Sequence, residues 1–210
     1  MERKQKVLVA GANGTTGKII VELLKDSAIY EPIAMLRKEE QEKAFKEQNI
    51  KVVLADLEED LTHTTEGIDK VIFAAGSKGK NVVGVDQKGA KRLIDASKQA
   101  KVSKFVMLSS MGADNPSIGG ELEDYLKAKQ NADDYLKSSN LDYVIVRPGN
   151  LTNDEAKGKI ALGSNLSLEG KISRADVAKT LVEALDDKVR TNQVFEILEG
   201  ENKIEEIIRA

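Results

Sequence analysis

Tyr125 and Lys129 stand four residues apart, a spacing that puts both on one face of a helix. A phenol, with an ordinary pKa near 10, is a poor general acid–base at neutral pH. An ammonium beside it favours the phenolate, so the pair could pass a proton to or from a substrate oxygen. The same ammonium could hold ribose hydroxyls. The plain alternative is a core aromatic beside a surface lysine, and on spacing alone that alternative leads.

A second chemistry lies near the N-terminus. The loop Gly11-Ala12-Asn13-Gly14-Thr15-Thr16-Gly17 follows the apolar run Val7–Ala10 and opens an amphipathic stretch. Between a strand and a helix, Gly11 permits the sharp turn and Gly14 lets the backbone approach a pyrophosphate. Gly17 lets the helix pack close to the sheet, and the helix N-terminus supplies free N–H groups. The phosphates of a dinucleotide would then meet Gly11, Asn13, Gly14, Thr15, Thr16 and Gly17. A structural turn is the bland reading, since loops are glycine-rich anyway. A nucleotide-triphosphate loop does not fit: five residues separate Gly11 from Gly17, and Ile19 rather than Ser or Thr follows Lys18.

The second apolar run ends in Leu36-Arg37-Lys38. An acidic residue there would bind the ribose hydroxyls of NAD, whereas cations accommodate the 2′-phosphate of NADP. Arg37 and Lys38 therefore favour NADP over NAD. The competing reading is a solvated charge run, because Glu39, Glu40 and Glu42 follow directly.

These groups need a frame to position them. Apolar runs recur at Val7–Ala10, Ile33–Leu36, Val52–Ala55, Val71–Ala75, Phe105–Leu108, Tyr143–Val146 and Val194–Leu198. Most are continuous rather than alternating, which suits strands buried on both faces of a parallel sheet. Between them, helical spacing groups Ile19, Ile20, Leu23 and Leu24 on one face, and Leu93, Ile94 and Ser97 on another. Tyr125, Ala128, Ala132, Tyr135 and Leu136 make a third face, and Val177, Leu181 and Leu185 a fourth. The alternation predicts an α/β fold, a Rossmann-like doubly wound parallel sheet with helices on both faces. The stretch from Asn150 to Gly170 is the least regular.

Composition narrows the function. The 210 residues suit one domain, 1–210, with a cofactor part over about 1–149 and a small substrate lobe over about 150–210. Lys and Arg number 32 against 35 Asp and Glu, a net charge of −3, and only eight residues are aromatic. That balance argues against nucleic acid or a membrane surface as partner. Zero cysteines exclude thiolate chemistry and cysteine metal sites, and the single His63 excludes a multi-histidine metal site. No apolar run approaches the roughly 20 residues of a membrane span. The expectation is a soluble, cytoplasmic protein, monomeric or a small homo-oligomer, acting on a small molecule.

The glycine spacing G-x-x-G-x-x-G, at Gly11, Gly14 and Gly17, resembles the extended and atypical short-chain dehydrogenase/reductases, and the resemblance covers essentially the whole chain. It implies that Asp56-Leu57 meets the adenine and that Ala74-Ala75-Gly76 is the small-residue turn against the cofactor. It implies that Ser110, Tyr125 and Lys129 are the catalytic Ser and Tyr-x-x-x-Lys, with Ser109 the less favoured register. In these roles Ser110 orients a substrate carbonyl, Tyr125 is the acid–base, and Lys129 tunes it and holds the nicotinamide ribose. Leu141-Asp142-Tyr143 running into Arg147-Pro148-Gly149, with Pro148 beside the cofactor, is similar to the atypical branch, as is Ile172–Ala178. That branch contains epimerase-like, flavin-reductase-like and NmrA-like proteins. The implied function is an NADP-dependent oxidoreductase or epimerase acting on a small carbonyl, flavin or nucleotide-sugar-like substrate. The rival is a catalytically silent NADP sensor.

One position departs from many short-chain reductases: Asp86 stands where they carry an Asn, as the atypical branch often does. A carboxylate cannot donate as an amide can, and its charge opposes a nearby phenolate. Asp86 is expected to be an auxiliary catalytic group, or else a helix N-terminal residue complementing the dipole. Ser173-x-x-Asp176 reads as a helix-capping box, with Arg174 facing a substrate anion as the second choice. His63 is expected to be a solvated loop residue, and Lys78-Gly79-Lys80 a basic turn near the cofactor mouth.

Overall fold

The computed structural model describes residues 3–77 and 79–210. Among the described residues there are eleven strands: β1 (Gln5–Ala10), β2 (Tyr30–Leu36), β3 (Lys51–Leu54), β4 (Lys70–Phe73), β5 (Lys104–Leu108), β6 (Tyr143–Pro148), β7 (Asn150–Thr152), β8 (Lys159–Gly163), β9 (Lys171–Ser173), β10 (Gln193–Glu199) and β11 (Asn202–Lys203). The α-helices are α1 (Thr15–Lys25), α2 (Glu42–Lys46), α3 (Ala90–Gln99), α4 (Glu123–Lys137), α5 (Arg174–Glu183) and α6 (Ile204–Ile207). A π-helical segment, Val82–Gly89, leads into α3, and a 3₁₀ segment, Pro116–Leu122, leads into α4.

The main sheet runs β11-β8-β10-β6-β5-β4-β1-β2-β3. Strands β3 to β6 through β1 are parallel in the doubly wound order 3-2-1-4-5-6, and β10 joins β6 in parallel. Alternation along β1 shows why its run is continuous. Val7 and Val9 enter the core layer that holds Ile20, Leu24, Val177 and Leu181, while Leu8 and Ala10 enter the opposite layer with Leu93, Ile94, Phe105 and Leu136. With helices on both faces there is no solvent side for polar residues to occupy. Each fully buried Val, Leu or Ile contributes about 1.5–3 kcal/mol relative to exposure. The α4 helix stops at Ser138, and Asn140 adopts φ +64°, the left-handed conformation in which Asn is tolerated past a helix end.

Each of the seven apolar runs lies on a strand or runs just past its end. Two expectations need correction. Leu23 is 37% exposed, and Val21 takes its place in the buried face of α1. The irregular stretch also conceals structure: β7 and β9 form a separate parallel pair, and β8 runs antiparallel to β10. These strands are hard to read because they are short and carry few buried residues, with Ile160 the only one in β8. Much of 150–210 also extends the main sheet rather than standing apart. Ile160, Ile172, Phe195, Ile197 and Ile208 share one core with Val7 and Ile20. Among the strands of this region, only the β7–β9 pair stands outside the main sheet.

Candidate functional site

The strand order reverses between β1 and β4, and ligands of doubly wound sheets bind in the crevice beyond the carboxyl ends at such a point. Gly11 leaves β1 at φ +89°, and a Cβ there would lie 2.6 Å from Ala75 N and 2.7 Å from Ala74 O. Gly17 is equally constrained, since its Cβ would fall 2.0 Å from Gly11 O. Gly14 differs. It is the N-cap of α1, and a Cβ on it would meet only Gly11 O, at 3.1 Å, leaving its outer side open.

The start of α1 carries no side-chain cap and no acidic residue in its first turn. Its first N–H groups therefore keep their partial positive charge for an incoming anion. Asn13, Gly14 and Thr15 are exposed around this cradle, and Thr16, one residue further into α1, is buried. The residues present fit a dinucleotide pyrophosphate.

On the β2–β3 side, the exposed Arg37 and Lys38 follow β2, and Gln41 Oε1 accepts from both of their backbone N–H groups at 3.2 and 3.3 Å. Lys38 Nζ pairs with Glu40 at 3.3 Å, while no ion pair to the Arg37 guanidinium occurs among the described residues. Half-buried Asp56 accepts from Glu58 N at 3.0 Å, and Leu57 O accepts from Arg92 at 3.1 Å. Ala74 and Ala75 are half-buried, and Gly76 is exposed beside Asp86, where a Cβ would stand 3.1 Å from Asp86 Oδ1.

On the β4–β6 side the buried charges gather. Asp86, in the π-helical segment, is 1% exposed, so it is not a surface dipole-complementing residue. Its Oδ2 accepts from Ser77 N at 3.0 Å, and its Oδ1 lies 3.6 Å from Lys129 Nζ. Lys129 is only 4% exposed, which removes the surface-charge alternative. Its Nζ donates to Leu108 O at 3.3 Å and lies 5.6 Å from the Tyr125 ring centroid. Tyr125 is half-buried, not a core aromatic. Ser110 is also half-buried and donates to Met111 O at 3.2 Å, and Met111 N donates to the carbonyl of buried Pro148 at 3.1 Å. Ser109 is buried and committed elsewhere: its hydroxyl donates to Asp133 at 2.9 Å.

Ser173 is the N-cap of α5, but only the first half of the expected capping box forms, since no bond from Ser173 N to the Asp176 carboxylate accompanies it. Ser173 Oγ accepts from Asp176 N at 3.0 Å and donates to Asp176 Oδ2 at 2.9 Å. Asp176 also takes the N–H groups of Lys157 and Gly158, at 3.0 and 2.8 Å. Arg174 is turned to Leu151 O and Asn153 Oδ1, at 3.3 and 2.8 Å. His63 is exposed, with Nε2 3.0 Å from Leu54 O. Lys78 lies outside the described residues, so of the expected basic turn only the exposed Gly79 and Lys80 are placed.

Asp133 and Arg147 were not foreseen as site residues. Arg147 Nε and Nη2 donate to Asp133 Oδ2 at 3.1 and 3.0 Å, and both side chains are buried. The signal was present in spacing, because Tyr125, Lys129 and Asp133 recur every four residues along α4.

No cluster of three or more His, Cys, Asp or Glu among the described residues could hold a metal ion. No helix among them is long and apolar enough to cross a membrane. A doubly wound sheet with an open glycine cradle at its switch point defines a Rossmann-type dinucleotide-binding protein. The chain belongs to the NAD(P)H-binding family, whose profile matches residues 11–188. Bacillus subtilis YhfK, named an uncharacterized sugar epimerase, is 38% identical over 97% of this chain and 99% of its own. A Bacillus halodurans structure named for an NAD-dependent epimerase/dehydratase superposes with a TM-score of 0.92 at 38% identity, covering 97% of this chain and 98% of that one. The oxidoreductase ylbE of Lactococcus lactis gives 0.86 at 30% identity, covering 97% and 95%. These findings agree with the atypical short-chain dehydrogenase/reductase branch.

Proposed function

We propose that the protein is an NADP(H)-dependent oxidoreductase or epimerase acting on a small carbonyl, flavin or nucleotide-sugar-like substrate. The observation that carries this reading is the buried Lys129, set between the Tyr125 ring and the Asp86 carboxylate at the carboxyl edge of the sheet. Burying a lysine is costly, and this one is set against a buried carboxylate and a half-buried phenol rather than spent on main-chain carbonyls alone. A bound nicotinamide dinucleotide supplies hydride exchange with a substrate carbon. Gly14 and the first turn of α1 hold its pyrophosphate, and Arg37 meets its 2′-phosphate. Tyr125 Oη gives or takes the proton at the substrate oxygen, and Ser110 Oγ donates a hydrogen bond to that oxygen. Lys129 supplies positive charge beside the phenol as the proton moves, and Asp86 keeps the lysine in place.

The test is a screen of carbonyl, flavin and nucleotide-sugar compounds for NADPH consumption, with mass spectrometry of whatever copurifies. Turnover with one class, lost in Tyr125→Phe, is the expected outcome. Tight NADPH binding without consumption across all classes would sink the enzyme reading in favour of a redox sensor.

A further inference from the structure

Asp133 is 0% exposed and lies one turn beyond Lys129 on α4. One of its oxygens, Oδ2, takes three donors from two other elements. Ser109 Oγ, just past the end of β5, donates at 2.9 Å, and Arg147 Nε and Nη2, on β6, donate at 3.1 and 3.0 Å. The other oxygen, Oδ1, is buried without a partner. Burial pushes the Asp133 carboxyl up from the ordinary carboxylate range, against the opposing pull of Arg147, Ser109 and Lys129.

This is a poor way to gain stability. A buried ion pair with an unmet oxygen costs desolvation that apolar residues of similar volume would avoid, and replacing such pairs is often neutral or stabilising. What the pair does achieve is geometric. It joins α4, the exit of β5 and β6 at one atom. A second tie runs from Arg147 Nη1 to Asp114 Oδ1 at 3.4 Å, and a third from Gln130 Nε2 to Asp114 O at 3.2 Å. Both reach the segment between Ser110 and the start of α4. The segment so held carries Ser110, and the helix holding it carries Tyr125 and Lys129.

We infer that Asp133 is a positioning residue: through Ser109 and Arg147 it fixes the β5 exit loop, and Ser110 with it, against the helix face bearing Tyr125 and Lys129. Asp133 itself reaches no substrate atom; it acts through its partners. The inference rests on the reading of Ser110, Tyr125 and Lys129 as the working groups, but its test needs no turnover, so the two can fail separately.

The experiment is amide hydrogen exchange on the full chain carrying Asp133→Leu with Arg147→Met, read beside its melting temperature. The Met111 and Ala113 amides, bonded to Pro148 O at 3.1 Å and Ser110 O at 3.2 Å, report on the exit loop. They are expected to exchange about tenfold faster or more, while the β5 and β6 amides keep their protection and the melting temperature holds or rises. Wild-type exchange at Met111 and Ala113, or uniform acceleration across the sheet, would overturn the inference. Should the double variant not fold, Asp133→Asn keeps the side chain's size and removes its charge, and the same amides are expected to exchange faster. Wild-type rates there would overturn it equally. With a substrate from the screen, Asp133→Asn should lower kcat about tenfold while NADPH affinity stays within about threefold. A kcat unchanged well below the melting temperature would mark Asp133 as structural only.

Discussion

Lys129 Nζ lies 3.6 Å from Asp86 Oδ1, and the two side chains are 5% and 1% exposed. The pair joins α4 to the π-helical segment before α3, with Leu108 O as the lysine's hydrogen-bond acceptor. Neither charge has water to fall back on, so each depends on the other. Removing one partner should therefore be felt in stability as well as in chemistry.

Lys129→Met is expected to lower stability by about 3–5 kcal/mol, because it leaves the Asp86 carboxylate buried and uncompensated. Denaturant unfolding measures this directly. Combining it with Asp86→Asn should recover part of the loss, and a double variant no more stable than Lys129→Met alone would show that the two charges do not depend on each other.

Tyr125→Phe keeps the ring and deletes the hydroxyl. If the tyrosine is the acid–base, turnover should drop by about 10²–10⁴-fold. NADPH affinity should barely change, since no contact to the glycine cradle is lost. Full activity in this variant would shift attention to another acid.

Gly14→Val should fold, because φ −72° suits any residue and only Gly11 O lies near its Cβ, at 3.1 Å. The side chain would occupy the outer side of the cradle, and dinucleotide affinity should fall by at least about tenfold, or 1.4 kcal/mol, by calorimetry. Gly17→Ala is the contrast. Its Cβ would collide with Gly11 O at 2.0 Å, so the expected loss is in folding, about 1–3 kcal/mol or more.

Arg37→Ala should cut the preference for NADP(H) over NAD(H) by roughly ten- to a hundred-fold, the size of one charge-assisted hydrogen bond to phosphate. Lys38→Ala should do less, because Lys38 is turned to Glu40. Equal affinity of the unmutated protein for both dinucleotides contradicts the assignment outright.

Lys104, buried at the start of β5, donates to Val189 O at 2.6 Å and to Asp186 O. Burial, and then repulsion from Lys70, lower its pKa to about 8, with Asp187, Asp186 and Asp142 pulling the other way. The unfolded chain, with lysines near 10.4, then binds more protons above about pH 8, so stability should rise with pH from about 8 toward 10. Tyr30 acts in the opposite sense. Burial first, and then Asp186, Asp187 and Glu183, raise it to about 12, so its contribution is lost as pH climbs from about 10 through 12. Melting temperature should therefore peak near pH 10, and Lys104→Met should abolish the rise below the peak.

The features legible from the residues alone are those whose physics is local. The turn at Gly11 and the close helix packing at Gly17 were legible because each acts within a few residues of the glycine. The strands of the parallel sheet read correctly because burial on both faces writes an unbroken apolar run into each. Strands β7, β8, β9 and β11 escaped, since a short strand, half-exposed at an edge or in a separate pair, has no need of such a run. The burial of Lys129, its pairing with Asp86, the turn of Lys38 toward Glu40 and the commitment of Ser109 to Asp133 arise only in the folded chain. Those outcomes depend on which side chains of distant segments share one small volume, and desolvation and pairing, which set the state of a charge, are properties of that volume.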